Sequence, residues 1–281
     1  MLKVNLEQGS QEWLQWRKKL LTATDAAILL GKSPYVTPFQ GWQRKCGLIP
    51  EQKTTAAMER GHRDEPIARA LFIQEYGINM TPCCIESENY NFIGASLDGL
   101  SDCEQYILEV KSQRPVDQVP ELHMIQMQHQ MLCTDWKSKK AFYVSHWEGV
   151  NKVFEIDFDL KWTMDYITEA KEFWGRVVFN DPPPLTNRDY KDMSGAEKWI
   201  PYSKEYVRIC NEIKLLEELK DSYRKELIKM CNDESCSGGG IKVLKKIVKG
   251  RIDYDSVPQL TSLDLEPYRK PSSASWVITS S

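Results

Sequence analysis

The chain reads as an α/β fold, with a strand-rich middle set between helical segments and followed by a helical and β-hairpin extension. Three observations predict this. Residues 83–157 contain short segments with apolar residues at strand spacing, helical spacing recurs on both sides of them, and Asp181-Pro182-Pro183-Pro184 interrupts any regular structure. The proline run sets the expected domain boundary, giving a core over residues 1–181 and an extension over 182–281.

The elements follow in order. Ser10 caps a helix reaching Leu20, on which Trp13, Trp16 and Leu20 recur at helical spacing. Thr24 caps a short second helix stopped by Gly31, and Thr37-Pro38 opens a third closed by Gly47. Thr55 to Tyr76 is helical again, with a kink or fresh start expected at Pro66, where a backbone donor is missing. Strands are expected over 83–86 and 91–98, then a turn at Asp98-Gly99 and a strand from Tyr106 to Lys111. Pro120 opens a helix to Cys133, strands follow over 140–146 and 152–157, and Asp159 starts a helix ending near Phe179. Beyond the prolines, a long charged helix runs from Ser203 to Met230 with an apolar stripe that includes Ile209, Ile213 and Leu216. A hairpin is expected from 241–248 and 251–254.

A length of 281 residues can bury a substantial core, and 41% hydrophobic with 27% charged residues is ordinary for a globular protein. No signal-peptide pattern opens the chain, so an intracellular, cytoplasmic location is expected, with the eight cysteines held as thiols. Their spacing lacks the two-residue gap of zinc and iron–sulfur sites, and no iron–sulfur cluster is expected. A formal net charge of -3 argues against a uniformly basic nucleic-acid binder. It leaves room for a nuclease, whose catalytic carboxylates add negative charge.

Chemistry concentrates near residue 100. On a strand Glu109 and Lys111 share one side, leaving Leu108 and Val110 to enter the core on the other. A hairpin would bring Asp98 beside Glu109. Two converging carboxylates suit Mg²⁺, a hard ion that takes oxygen ligands, and a neighbouring lysine can orient water or stabilise charge developing on phosphate. Taken alone, Glu-x-Lys on a strand is more often an exposed ion pair.

The wider context makes the pattern specific. Leu21-Thr22-Ala23-Thr24-Asp25-Ala26-Ala27, Arg60-Gly61-His62-Arg63-Asp64-Glu65-Pro66, Ser96-Leu97-Asp98-Gly99, Leu108-Glu109-Val110-Lys111-Ser112 and Gln126-Met127-Gln128-His129-Gln130 occur in one order. Together, over residues 10 to 180, they resemble the YqaJ-type viral recombinase family, related to lambda exonuclease within the PD-(D/E)XK nuclease superfamily. The resemblance implies a restriction-endonuclease-like core with a central mixed β-sheet flanked by helices. It implies Asp98 and Glu109 as metal-binding acids, Lys111 as the catalytic lysine, Glu65 as the helix glutamate completing the metal shell, and Gln126 as the residue positioning water or the scissile phosphate. The Val110 carbonyl is a further metal ligand in this reading. His123 stands where the family often has a tyrosine, as a possible DNA contact, and falls with Gln126 and Gln130 on one helical stripe. Arg17 and Thr24 occupy the positions that hold the 5′ phosphate of the digested strand.

The activity so implied is 5′→3′ digestion of double-stranded DNA ends with Mg²⁺, Mn²⁺ substituting, leaving 3′ single strands for recombination. The implied partners are DNA ends, further copies of the chain in a ring, a trimer being favoured, and a phage-type single-strand annealing protein. Two alternatives stay open at this point: a structure-specific or restriction-like endonuclease, and a non-catalytic protein that binds DNA ends.

Overall fold

The computed structural model describes residues 1–50 and 55–244. The chain divides into two compact units, Met1–Lys191 and the part from Asp192 onward. The proline run breaks regular structure without ending the first unit. Arg188, beyond it, donates to the backbone oxygens of Ser33 at 2.9 Å and Pro34 at 2.7 Å, and the Thr37 hydroxyl hydrogen-bonds Asp189.

The first unit is built on a six-stranded sheet in sequential order: β1 (Leu2–Val4), β2 (Met80–Glu86), β3 (Gly94–Ser101), β4 (Tyr106–Ser112), β5 (Lys140–Trp147) and β6 (Val150–Asp157). Neighbours are antiparallel except β4 and β5, which run parallel and are joined through helix α5 (Glu121–Cys133). A parallel pair needs a crossover of this length, so the sheet is mixed. Helix α4 (Ala56–Tyr76) covers one face, where Ala68 and Phe72 pack with Leu108, Val110, Phe142 and Val144. Helices α2 (Ala23–Leu29), α5 and α6 (Leu160–Val178) share the larger cluster holding Leu97, Ile107, Met127, Met131 and Tyr166. Strand alternation therefore sends Leu108 and Val110 under α4 and carries Glu109 to the α5 face.

The expected Asp98-Gly99 turn is absent. The strand runs on to Ser101 and the chain turns at residues 102–105, where Glu104 has φ +59°. Gly99 is there for space: a Cβ would lie 2.8 Å from Met80 Cβ and 3.0 Å from Leu108 Cβ, so only glycine lets β2 and β4 close around this residue. β2 starts earlier than the apolar pattern suggested because it spans Pro82, where its register to β3 shifts between Thr81 and Cys83. Proline cannot donate to a ladder, and an irregularity is how a sheet accommodates it. β1, three residues long, carries too little periodicity to be seen in sequence.

Helices α1 (Gln11–Lys18) and α3 (Pro38–Lys45) match their caps, Ser10 and Thr37. For α2 the cap is Thr22, not Thr24: Thr22 and Asp25 form a reciprocal capping box, which leaves Thr24 exposed as the second residue of the helix. α4 continues through Pro66 as one helix, anchored by Ala68 and Phe72 in the next turns.

In the second unit α7 (Trp199–Met230) starts before Ser203 because Pro201 sits in its first turn, where its missing N–H is no loss. Strands β7 (Cys236–Gly238) and β8 (Ile241–Val243) pair across Gly239-Gly240, both at positive φ as a type I′ turn requires. Ile241–Val243 thus pairs backward, and the strand expected over 251–254 lies outside the described residues. Among the described residues no helix is long and apolar enough to cross a membrane.

His129 is fully buried in the core, with Nε2 donating to the Gly94 carbonyl at 3.1 Å and Nδ1 accepting from the Tyr166 hydroxyl at 2.6 Å. Burial pushes its pKa down to about 4. A histidine depressed below its ordinary value near 6.5 gives stability that is complete above that value and lost as pH falls through the folded one. Chemical denaturation should show a loss on the order of 3 kcal/mol between pH 7 and pH 4 that His129→Gln removes. An identical pH slope in both proteins would contradict the assignment.

Candidate active site

The site begins where β3 and β4 part. The two strands pair at Gly99 with Leu108 and at Leu100 with Ile107, and the ladder goes no further. Past that point Asp98 takes over with its side chain: Oδ2 accepts from the Val110 backbone N–H at 2.7 Å. A strand residue's N–H and C=O leave on the same edge, so the Val110 carbonyl also points to the gap that Asp98 borders.

Glu109 projects from β4 to the α5 face and is only 2% exposed. Its Oε1 accepts from Lys111 Nζ and from Gln126 Nε2 at 2.7 Å, and its Oε2 accepts from Gln130 Nε2. Lys111 Nζ also donates to Gln126 Oε1 at 3.0 Å. An exposed ion pair, the bland reading of Glu-x-Lys, does not describe this geometry. The two glutamines are four residues apart on α5, one turn, so a single helix face meets the carboxylate with two donors.

Charges crowd here. Burial, then the carboxylates of Glu109 and Glu65, hold the Asp98 carboxyl well above its usual range, against the opposing pull of Lys111. For Lys111 burial works against the charge, but Glu109 and Asp98 outweigh it and raise the ammonium above its ordinary value. Glu65 reaches the group from α4, where Arg69 holds it at 2.6 Å; the same Arg69 nitrogen donates to the Asp98 backbone carbonyl at 2.7 Å. Sequence reading passed over Arg69, although its spacing of four from Glu65 on a helix was a signal for the pair.

The structure thus gathers Asp98, Glu109, Lys111, Glu65 and Gln126 at one place. His123 lies at its edge, with its ring stacked on Tyr143 at 5.5 Å and Nδ1 2.9 Å from the Tyr143 hydroxyl. Burial, reinforced by Lys111, pushes His123 down to about 4, so it is neutral near pH 7. Arg17 and Thr24 meet each other elsewhere: one Arg17 nitrogen lies 3.4 Å from the hydroxyls of both Thr22 and Thr24, and its guanidinium stacks 4.5 Å above Trp13. Trp13 donates to Ser96 at 2.8 Å, two residues before Asp98, which ties that corner to β3. Asp25 and Lys45, paired at 2.6 Å, brace it from beneath, with Lys45 also donating to the carbonyls of Arg17 and Leu20 at 2.8 Å.

Asp98, Glu109 and the Val110 carbonyl are all oxygen donors, and neighbouring carboxylates that raise the proton affinity of Asp98 mark a place where a divalent cation would relieve repulsion. The donor set therefore fits a hard cation. Among the described residues no three His, Cys, Asp or Glu form a ready cage. Mg²⁺ does not require one, since it binds through one or two carboxylates and keeps waters or phosphate oxygens for the rest.

Comparison with known proteins agrees with this architecture. Residues 12–137 match the model of the YqaJ-like viral recombinase domain. The uncharacterized protein YqaJ of Bacillus subtilis (strain 168) is 29% identical over 214 residues, covering 71% of this chain and 65% of that protein. The chain thus spans just under two thirds of that relative's length. The crystal structure of an alkaline exonuclease, LHK-Exo, from Laribacter hongkongensis superposes with a TM-score of 0.51 at 25% identity, covering 61% of this chain and 94% of that one. The same exonuclease in complex with dAMP gives 0.52 and 26% over the same shares. The fold is that of PD-(D/E)XK exonucleases.

Because Asp98 has a raised carboxyl pKa, it favours folding most when protonated, and that contribution fades as pH rises above the ordinary aspartate value near 3.9. In a chelator, Asp98→Asn should therefore be more stable than the parent at pH 7, with the difference shrinking toward pH 4. A less stable variant at pH 7 in urea denaturation would contradict the crowding of charge around Asp98.

Proposed function

We propose that this chain, whose residues 12–137 match the YqaJ-like viral recombinase domain, is a Mg²⁺-dependent 5′→3′ exonuclease acting on double-stranded DNA ends. One observation carries the reading. Glu109 is buried beside Lys111 and two glutamine amides, and burial with the neighbouring carboxylates holds the Asp98 carboxyl well above its usual range. A buried ion pair is a poor device for stability, and titratable groups driven from their ordinary values collect where chemistry is done.

Asp98, Glu109 and the Val110 carbonyl would hold the cation, with Mn²⁺ as a substitute, and Glu65 would complete its shell by turning from Arg69. The bound ion supplies Lewis acidity toward the scissile phosphate and lowers the pKa of water. Lys111, kept charged by Glu109 and Asp98, orients the attacking water and stabilises negative charge developing on phosphate. Gln126, fixed between Lys111 and Glu109, holds that lysine in line. Neutral His123 can offer a hydrogen bond to the DNA backbone without adding charge.

Arg17 and Thr24 would take the 5′ phosphate. A guanidinium presents a planar fork to phosphate oxygens, and Thr24 adds an exposed hydroxyl in the first turn of α2, where backbone N–H groups also favour an anion. End recognition at this corner makes the enzyme an exonuclease and leaves 3′ single strands, the substrate of a phage-type single-strand annealing protein. In this reading residues 1–181 are the exonuclease core and 182–281 an extension, and the cores assemble as a ring, with a trimer favoured.

Linear duplex labelled at either end, with and without a 5′ phosphate, tests the proposal in Mg²⁺. Label at the 5′ end should be released first, Arg17→Ala should slow digestion chiefly of phosphorylated ends, and Asp98→Ala or Lys111→Ala should lower the rate by roughly 100-fold or more. Rapid cutting of a covalently closed circle, or digestion from the 3′ end, would overturn it.

A further inference from the structure

Helix α7 is 32 residues long, about 48 Å, and within the described part of the second unit buries none of its side chains. Helices are held in water mainly by packing, so a helix of this length with an apolar face implies a partner. The spacing of that face is regular. From Trp199 to Met230 large side chains recur at alternating steps of three and four residues, the heptad repeat of a coiled coil, and Lys220 is the one polar member. The nine apolar members are 36% to 75% exposed.

We propose that α7 pairs antiparallel with α7 of a second copy of this chain. The repeat is centred on the helix, so an antiparallel copy opposes every seam residue in ten layers, five distinct pairs each occurring twice: Trp199 with Met230, Tyr202 with Leu227, Tyr206 with Tyr223, Ile209 with Lys220, and Ile213 with Leu216. Lys220 decides the direction. In a parallel pair it would face its own copy. In the antiparallel pair it lies against Ile209, flanked by Glu205 and Glu212, which one turn of helix places on either side. Those two glutamates already share Arg208, so the cluster has one negative charge in excess, which Lys220 of the second copy neutralises. Each direction also faces one pair of carboxylates across the flank, Glu212 with Glu217 when parallel and Glu205 with Glu226 when antiparallel, so these do not separate the two.

The area suffices. Four aromatic side chains, each burying about 150–250 Å² in full and here a little over half exposed, remove on the order of 450 Å² per chain. Both copies together, with the aliphatic members, reach the ~1,200–2,000 Å² of a stable interface. A groove of about 1020 Å³ marks the seat for the second helix: Leu216, Leu219, Tyr223 and Leu227 of α7 form one wall, and Ile241 and Val243 of β8 the other.

Sedimentation equilibrium of the full chain tests this. Ile213→Asp with Leu216→Asp should weaken self-association by roughly 100-fold or more, as should Lys220→Glu, since each buries uncompensated charge in the seam. Adding Glu205→Lys, Arg208→Glu and Glu212→Lys to Lys220→Glu should restore the parent mass, because the charges are then exchanged between facing positions. Circular dichroism should show the helix content of the parent retained at concentrations where these variants still associate. A mass unaffected by the seam substitutions would overturn the proposal. So would self-association that appears only after residues 245–281 are removed, which would make the chain's own tail the occupant, or failure of the charge exchange to restore the mass, which would make the pairing parallel or with another protein.

Discussion

A carboxylate 2% exposed inside a sheet protein persists only if every hydrogen-bond position around it is filled, and that requirement at Glu109 organises the first unit. Lys111 answers from the same strand, two residues on. Gln126 and Gln130 answer from α5, so the crossover helix must lie with that face toward β4. The apolar members of α5, Met127 and Met131 among them, fill the core on its other side. Satisfying one acid therefore fixes the rotation of the helix that makes the sheet mixed.

The second constraint is the parting of β3 from β4. Gly99 draws the strands close, and immediately beyond it Asp98 replaces a backbone partner for the Val110 N–H. The strand edge left open faces α4, whose Arg69 grips the Asp98 carbonyl and Glu65 with the same nitrogen. Asp98, Glu65, Glu109, Lys111 and the Val110 carbonyl are thus held on β3, β4 and α4, and none of them sits on a loop. The Arg17 corner is joined to this frame through Trp13 and Ser96.

Much of this was legible in the chain because the candidate site residues lie on regular elements. Alternation along Tyr106–Ser112 separated Leu108 and Val110 from Glu109 and Lys111, and helical spacing placed His123, Gln126 and Gln130 on one face. What sequence missed is where local signals compete. Asp98-Gly99 has the composition of a turn, yet the glycine serves close packing between strands, a tertiary demand without a local signature. Thr24 and Thr22 are both able caps, and Asp25 chose Thr22 by closing the capping box. Arg69 escaped notice because its partner at Asp98 is a backbone carbonyl, which no residue pattern encodes. On α7 the approximate stripe became a strict repeat only once the helix was seen to begin at Trp199.

The central claim is that Asp98 and Glu109 jointly bind a divalent cation. Mn²⁺ binding to the full chain, followed by the loss of the free-ion electron paramagnetic resonance signal, tests it most directly. The account predicts saturable binding that disappears in Glu109→Gln and in Asp98→Asn, whereas both variants keep the parent's far-ultraviolet circular dichroism. Equal Mn²⁺ uptake by the parent and by folded Glu109→Gln would contradict it.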